Sequence, residues 1–366
     1  MFVSAAAKQT PLYPEHLKLH ARMVPFGGWD MPVQYEGILS EYEHTRRAVA
    51  IFDTCHMGEF IVEGDGAQSG LEHLVTSFLT DMPLKACRYT LMLNVNGGVI
   101  DDLIVYRIEK EKWMIVVNAA NIDKDAGHIA GHLTENSSFL NISQETGKLD
   151  VQGPLSRDVL SRWISGIEKL NYYEFGYFKV LGENVVISRT GYTGELGFEI
   201  YFPWEKMPTL WQKLLDDKRV KPAGLGARDV LRAEMCYSLY GQDIDDNILP
   251  LEAGLDKFIN FDKDFIGRDA LLKQKEAGLR RKMIYFIGEN RRSPRHNHRI
   301  YSLHSKEIGV VTTGTFSPGL NRGIGMGLIS TGSAAKGEKI FFGDDKNKIS
   351  AEVTGRPFYK SGSLKN

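Results

Sequence analysis

The sequence predicts an α+β protein with antiparallel sheets and a separate all-β region towards its C-terminal end, and three observations carry that reading. Between residues 88 and 120, three runs rich in Val, Ile, Leu and Tyr are joined by short turns, the pattern of an antiparallel meander. From 149 to 237, strand-like and helix-like patterns alternate. Beyond the polar segment 273–282 the chain changes to short strands punctuated by glycine, with no helical periodicity before Asn366.

The elements follow in order. The meander turns at Asn96-Gly97, a pair that tolerates positive φ at a hairpin corner, and again near residues 109–111. A helix is expected over 122–133. Residues 149–154 read as a strand ending at Gly153-Pro154, and 156–164 has helical spacing with Leu160 and Trp163 facing inward. A second hairpin spans 178–190 around Gly182-Glu183-Asn184. The loop Gly191-Tyr192-Thr193-Gly194-Glu195 then leads into a strand over 198–202, and helices are expected over 207–215 and 227–237.

A length of 366 residues suggests two or three domains. Lys and Arg number 45 against 46 Asp and Glu, so no global field recruits nucleic acid or a membrane. The opening Met1-Phe2-Val3-Ser4-Ala5-Ala6-Ala7-Lys8 is too short and too weakly apolar for a secretory segment, and no later run could cross a bilayer, which points to the cytoplasm. Cys55, Cys87 and Cys236 are far apart and lack CxxC spacing. They are expected to be small buried thiols rather than a disulfide framework or a zinc site.

The chemistry concentrates in carboxylates set among apolar residues. Alternation after the Asn-Gly corner places Asp101 with Val99, Leu103 and Val105, and Asp102 with Ile100, Ile104 and Tyr106. Both faces are apolar, and an unpaired charge taken out of water is costly, so one of the two aspartates is the catalytic candidate. Glu199 lies within a similar strand. It either faces outward on an edge strand or accepts two adjacent N–H groups of a planar heterocycle. Arg228 sits in a first helical turn, where the dipole disfavours a cation unless it meets an acid or an anionic ligand; a structural ion pair and a ligand contact both fit. Tyr89, Tyr106, Tyr173 and Tyr192 stand close to the same motifs, as an aromatic pocket or as plain strand packing.

Other motifs lead away from familiar chemistries. His128 and His132 are one turn apart but lack the glutamate of HExxH and a third ligand, so they read as a solvated face and no metal is expected. Gly224-Leu225-Gly226-Ala227-Arg228-Asp229 begins like a dinucleotide fingerprint, yet Asp229 occupies the third glycine position and no buried strand precedes it; no nucleotide is expected. The run 323–327 is no more persuasive. Residues 280–299 carry Arg280, Arg281, Lys282, Arg291, Arg292, Arg295 and Arg299 against the single acid Glu289, a patch that is either a solvated face or a surface for an anionic ligand or partner. With no GxSxG elbow, no P-loop and no Cys or Ser paired with a base, the set of carboxylates, tyrosines and an arginine suits orienting a substrate whose own nitrogen reacts.

An ordered series of motifs resembles one family over nearly the whole chain. It runs through Thr10-Pro11-Leu12-Tyr13, Phe26-Gly27-Gly28-Trp29-Asp30-Met31-Pro32, Phe52-Asp53, His56-Met57-Gly58-Glu59-Phe60 and Asn96-Gly97-Gly98-Val99-Ile100-Asp101-Asp102-Leu103. It continues with Val116-Val117-Asn118-Ala119, Arg189-Thr190-Gly191-Tyr192-Thr193-Gly194-Glu195, Gly224 to Asp229, Leu239-Tyr240-Gly241-Gln242-Asp243 and Gly314-Thr315-Phe316-Ser317-Pro318. The chain thereby resembles the T proteins of the glycine cleavage system, tetrahydrofolate-dependent aminomethyltransferases. The resemblance implies a three-domain cloverleaf around a central folate channel. Residues 1–270 would form two interleaved α+β domains, the second roughly 52–138, and 271–366 a C-terminal β-barrel.

The resemblance further implies transfer of a one-carbon unit from the aminomethyl-loaded lipoyl arm of the H protein to tetrahydrofolate, with release of ammonia and no metal. It assigns the essential carboxylate to Asp102, and places Tyr89, Tyr106, Tyr173, Tyr192, Glu199 and Arg228 around the folate with Asn118 nearby. Glu199 would read the N–H edge of the pterin. Related folds serve flavin-linked dimethylglycine and sarcosine oxidising enzymes, a sulfonium demethylase and iron-sulfur maturation proteins. The chain lacks the flavin domain of the first group, and Cys236 lacks the Lys-Gly-Cys-x-x-Gly-Gln signature of the last.

Overall fold

The computed structural model describes residues 7–66, 68–344 and 346–365; the first six residues of the opening segment, read above as too weakly apolar for export, lie outside them. The strand Thr146–Gln152 shows how local pattern becomes architecture. Leu149 and Val151 alternate with Lys148, Asp150 and Gln152, so one face is apolar and the other charged, and all are buried. It lies inside a six-stranded sheet ordered Phe175–Val180, Glu183–Ser188, Gly197–Pro203, Thr146–Gln152, Val49–Asp53 and Val220–Pro222, antiparallel except for the last pair. On the apolar face Val49, Ile51, Leu149, Val151 and Phe198 pack with Leu210, Trp211 and Leu214 of the helix Met207–Leu215. On the other, Ala50 and Phe52 meet Ala227, Val230 and Leu231 of the helix Leu225–Glu234.

A second, five-stranded antiparallel sheet is inserted between Val49–Asp53 and Thr146–Gln152. Its order is Cys87–Leu93, Val99–Glu109, Lys112–Val117, Gly58–Glu63 and Ser138–Asn141. The helix Ile122–His132 backs it, burying Ile122 and Ile129 against Leu103, Val105 and Ile115. The interleaving that the resemblance implied is thus visible in the strand order. The C-terminal strands Arg281–Gly288, Arg299–Tyr301, Glu307–Ser317, Arg322–Ser330, Lys339–Gly343 and Lys348–Thr354 close into a barrel around Phe286, Ile300, Val311, Ile340 and Phe342. Gly325 faces the Phe286 ring, where a Cβ would approach to 2.4 Å, so the glycine run 323–327 is a packing device.

Several boundaries differ from expectation. At the first hairpin only Gly97 takes a positive φ (85°), and Leu93 pairs with Val99 across a longer corner. Ile100 is bulged out of the register there. Val99 consequently joins Leu91 and Leu93, and Ile100 joins Leu103 and Val105, the reverse of simple alternation. The second hairpin turns at Leu181-Gly182, with φ of 49° and 88°, not at 182–184, because this two-residue turn places a leucine where sequence favours asparagine or glycine. The helix expected over 156–164 stops at Leu160, since Ser161, Ser165 and Gly166 are poor helix formers, although Trp163 still packs on the core.

The helix expected over 227–237 runs Leu225–Glu234 and ends near Cys236, whose φ is 57°. A short strand does precede it, hidden in the sequence by Lys221 and Pro222. Gly224 and Gly226 allow it to lie against Val33 and Ile38, where Cβ atoms would come within 2.4 and 2.5 Å. The polar segment before the barrel also hides a helix, Arg268–Ala277, which buries only Leu271 and so lacks a broad apolar stripe. All three cysteines are free and buried, as expected. Among the described residues no helix is long and apolar enough to cross a membrane.

Gly98 pins the first hairpin to the segment after residue 244. Asn94 Nδ2 donates to the Asp246 carbonyl at 2.9 Å, and a Cβ on Gly98 would stand 1.8 Å from that oxygen. Gly98→Ala is therefore expected to lower unfolding stability by about 2–3 kcal/mol in denaturant titration. Gly127→Ala, within the helix Ile122–His132 and facing open space, should instead raise it by up to about 1 kcal/mol.

Candidate active site

A cavity of about 1500 Å³ opens where the charged face of the six-stranded sheet, the first hairpin of the five-stranded sheet and the N-terminal part of the helix Leu225–Glu234 meet. Tyr89, Asp102, Asn118, Tyr173, Tyr192, Glu199 and Arg228 all line it. Tyr106 does not: it is fully buried behind the wall, where its hydroxyl meets those of Tyr201 at 2.7 Å and Ser188 at 3.1 Å and so ties the two sheets together.

The two adjacent aspartates have opposite surroundings. Asp101 is fully buried and accepts hydrogen bonds from Asn118 N (2.9 Å), Asn118 Nδ2 (2.8 Å) and Asn121 Nδ2 (2.8 Å). Asp102 is half-buried in the cavity wall, where Tyr89 Oη donates at 3.0 Å and Asn118 Nδ2 at 2.8 Å. Burial, followed by the neighbouring charge of Asp101, pushes the Asp102 carboxyl up to about 7, against the opposing pull of Tyr89 and Asn118. Neither donor is a cation. A carboxyl balanced in this way changes charge in the neutral range.

The facing wall holds a charge-compensated chain. Lys148 Nζ lies 3.5 Å from Glu199 and 3.4 Å from Asp150, while Arg228 binds the other Asp150 oxygen and sits 5.1 Å from the Tyr192 ring. Thr54 Oγ1 donates to Asp150 at 2.9 Å. Burial raises the Asp150 carboxyl, but Lys148 and Arg228 outweigh it and the net shift is downward. For Glu199 burial wins over Lys148 and the shift is upward. Arg228, whose partner was open on sequence grounds, therefore has both a structural ion pair and a place on the cavity wall.

Sequence reasoning missed Lys148, Asp150 and Thr54, and also His56, which lines the cavity and is held neutral by burial, its pKa lowered to about 4. The alternation of Lys148, Asp150 and Gln152 with Leu149 and Val151 was the available signal. The strand was read for its apolar members alone. The rings of His128 and His132 lie 4.5 Å apart on their helix, tilted by 41°, and no group of three or more His, Cys, Asp or Glu among the described residues is arranged to hold a metal. In the basic segment, Arg281 binds Glu252, Arg299 binds Glu307 and Arg291 covers the Phe316 ring.

Residues 12–263 match the family described as GCVT N-terminal domain, and 281–360 match the Glycine cleavage T-protein C-terminal barrel domain. The chain is 43% identical to an aminomethyltransferase of Pseudothermotoga lettingae over 363 residues, covering 98% of this chain and 99% of the relative. It is 44% identical to one from Caldanaerobacter subterraneus subsp. tengcongensis, with 98% and 97% covered. The crystal structure of glycine cleavage system aminomethyltransferase T from Bartonella henselae superimposes with a TM-score of 0.92 at 31% identity, over 97% of this chain and 99% of that one.

The raised pKa of Asp102 has a signed consequence for stability. Its ordinary value lies near 3.8 and its folded value near 7, so the folded state holds the proton more tightly, and this contribution is lost as pH rises through that interval. Asp102→Asn keeps a side chain that can bond to Tyr89 and Asn118 while removing the charge. In thermal unfolding the variant should gain on the wild type between pH 4 and 8, whereas a constant offset would contradict the burial of this charge.

Proposed function

This chain belongs to the glycine cleavage T-protein family of aminomethyltransferases, and we propose that its cavity takes up tetrahydrofolate with the reactive amines beside Asp102. The aminomethyl group arrives on the lipoyl arm of the H protein, and the products are 5,10-methylenetetrahydrofolate, ammonia and the dihydrolipoyl H protein. The observation that carries the reading is the position of Asp102, a carboxyl poised in the neutral range in the wall of a cavity whose opposite wall presents Glu199.

The lining suits such a guest. Glu199 is buried, with Oε1 near Lys148 and Oε2 accepting from Tyr201 Oη at 3.3 Å, and each oxygen keeps a further lone pair for the paired N–H groups of a pterin edge in a space lined by tyrosine rings. Arg228 and Lys148 hold Asp150 and Glu199 in place through direct ion pairs. Tetrahydrofolate supplies the nucleophilic nitrogens. The protein supplies orientation: Tyr89 and Asn118 fix the Asp102 carboxylate, which stabilises positive charge as it develops on the transferred carbon when ammonia departs. Three buried, unpaired thiols accord with a reducing cytoplasm.

With aminomethyl-loaded H protein and tetrahydrofolate, Asp102→Asn is expected to slow folate-dependent ammonia release by about 100-fold or more while leaving the circular dichroism unchanged. A variant that turns over like the wild type would sink the assignment. Because Asp102 acts as the carboxylate, wild-type kcat should rise with pH through about 7. Glu199→Gln should raise KM for tetrahydrofolate by roughly tenfold or more, with a smaller effect on kcat.

A further inference from the structure

Behind Asp102 lies a third carboxyl that the reaction described above does not use. Asp125, in the helix Ile122–His132, is fully buried, and neither of its oxygens has a hydrogen-bond donor. Asn121, one turn earlier on the same side of the helix, reaches Asp101 at 2.8 Å, which sets Asp125 beside Asp101, and the two carboxyls act on each other. The nearby donors serve Asp101 instead: Asn118 N, Asn118 Nδ2 and Asn121 Nδ2 all reach it. Lys124, the cation beside Asp125 on the same helix, is engaged by the Ile100 carbonyl at 2.8 Å and Tyr240 Oη at 2.7 Å. Two neighbouring carboxyls out of water are not both ionised, and the one without donors must bring its own hydrogen.

We propose that Asp125 is a positioning residue for the transfer reaction: its carboxyl shares one proton with Asp101, and the single negative charge left on the pair acts on Asp102 through the common partner Asn118. The inference rests on the reading of Asp102 as the carboxylate at the reacting centre. The groups facing Asp125 are Asp101 and Asp102 from the strand Val99–Glu109, Lys124 from its own helix and Tyr240 from the segment beyond the helix Leu225–Glu234. Burial and Asp101 together push the Asp125 carboxyl up to about 10, so the shared proton persists across the neutral range.

Two variants separate this role from simple packing. Asp125→Asn donates an N–H to Asp101 and preserves the pair's charge, so the acid limb of the pH–kcat profile should stay near 7. Asp125→Leu removes that donor while Asp101, held by three amide N–H groups, keeps its charge, so the less screened charge beside Asp102 should move the limb up by about one pH unit. Infrared difference spectra at pH 8 should show a protonated-carboxyl C=O band in the wild type that disappears in Asp125→Asn. Glu59, a second buried carboxyl without donors and pushed well above its ordinary value, contributes a band that remains. A spectrum of Asp125→Asn that keeps every wild-type band, or a limb in Asp125→Leu that coincides with that of the wild type, overturns the proposal. Should Asp125→Leu fail to fold, the infrared comparison decides alone. Full activity in Asp102→Asn would instead overturn the reading of the cavity and leave the band to decide the shared proton.

Discussion

Removing ionised side chains from water is tolerable only where other groups replace the lost hydration, and that constraint shapes both walls of the cavity. On one wall Glu199, Lys148, Asp150 and Arg228 alternate in sign, so each charge has a neighbour of the opposite kind. Such a set is rigid and costly to break, because loss of one member leaves another buried and unpaired. On the other wall Asp102 receives neutral donors only, from Tyr89 and Asn118, with a like charge behind it. The compensated wall fixes geometry, whereas the uncompensated one retains a protonation state that a reaction can use.

The same rule operates at the junctions between units. Arg46 bridges Glu195 at 2.9 Å and Glu234 at 2.7 Å, Tyr42 donates to Glu234, and Ser363 donates to Glu195 from the C-terminal segment. Arg232 reaches Asp243, whose two oxygens also accept from Thr312 and Thr313 of the barrel. Each junction satisfies its charges with groups drawn from separate parts of the chain. The walls of the cavity are thereby held by elements far apart in sequence.

Much of this was legible beforehand, for identifiable reasons. The meander, the helix Met207–Leu215 and the all-β C-terminal region announce themselves through period and punctuation. Asp102 and Glu199 stood out because a charge inside an apolar strand is conspicuous. The face of Ile100 could not be read, because a bulge reverses alternation without any mark in composition. The resemblance brought Tyr106 into the pocket set and parity put it on the face of Asp102, but a strand face extends beyond any one cavity, and its hydroxyl is occupied by Tyr201 and Ser188. Lys148 and Asp150 escaped notice because each is ordinary in sequence; their meaning comes from Arg228 and Glu199, contributed by other segments.

The insertion of the five-stranded sheet into the six-stranded one has a consequence for synthesis on the ribosome. The strand Val49–Asp53 is made early, but its partner Thr146–Gln152 emerges only after the whole intervening sheet, and its other neighbour Val220–Pro222 later still. At translation speeds of about 5–20 residues per second, the early strand waits for roughly five to twenty seconds with both hydrogen-bonding edges open. During that interval the enclosed sheet can complete itself from contiguous chain. The outer sheet cannot, and the nascent polypeptide is most exposed to mispairing along residues 49–53 until the ribosome has delivered the rest.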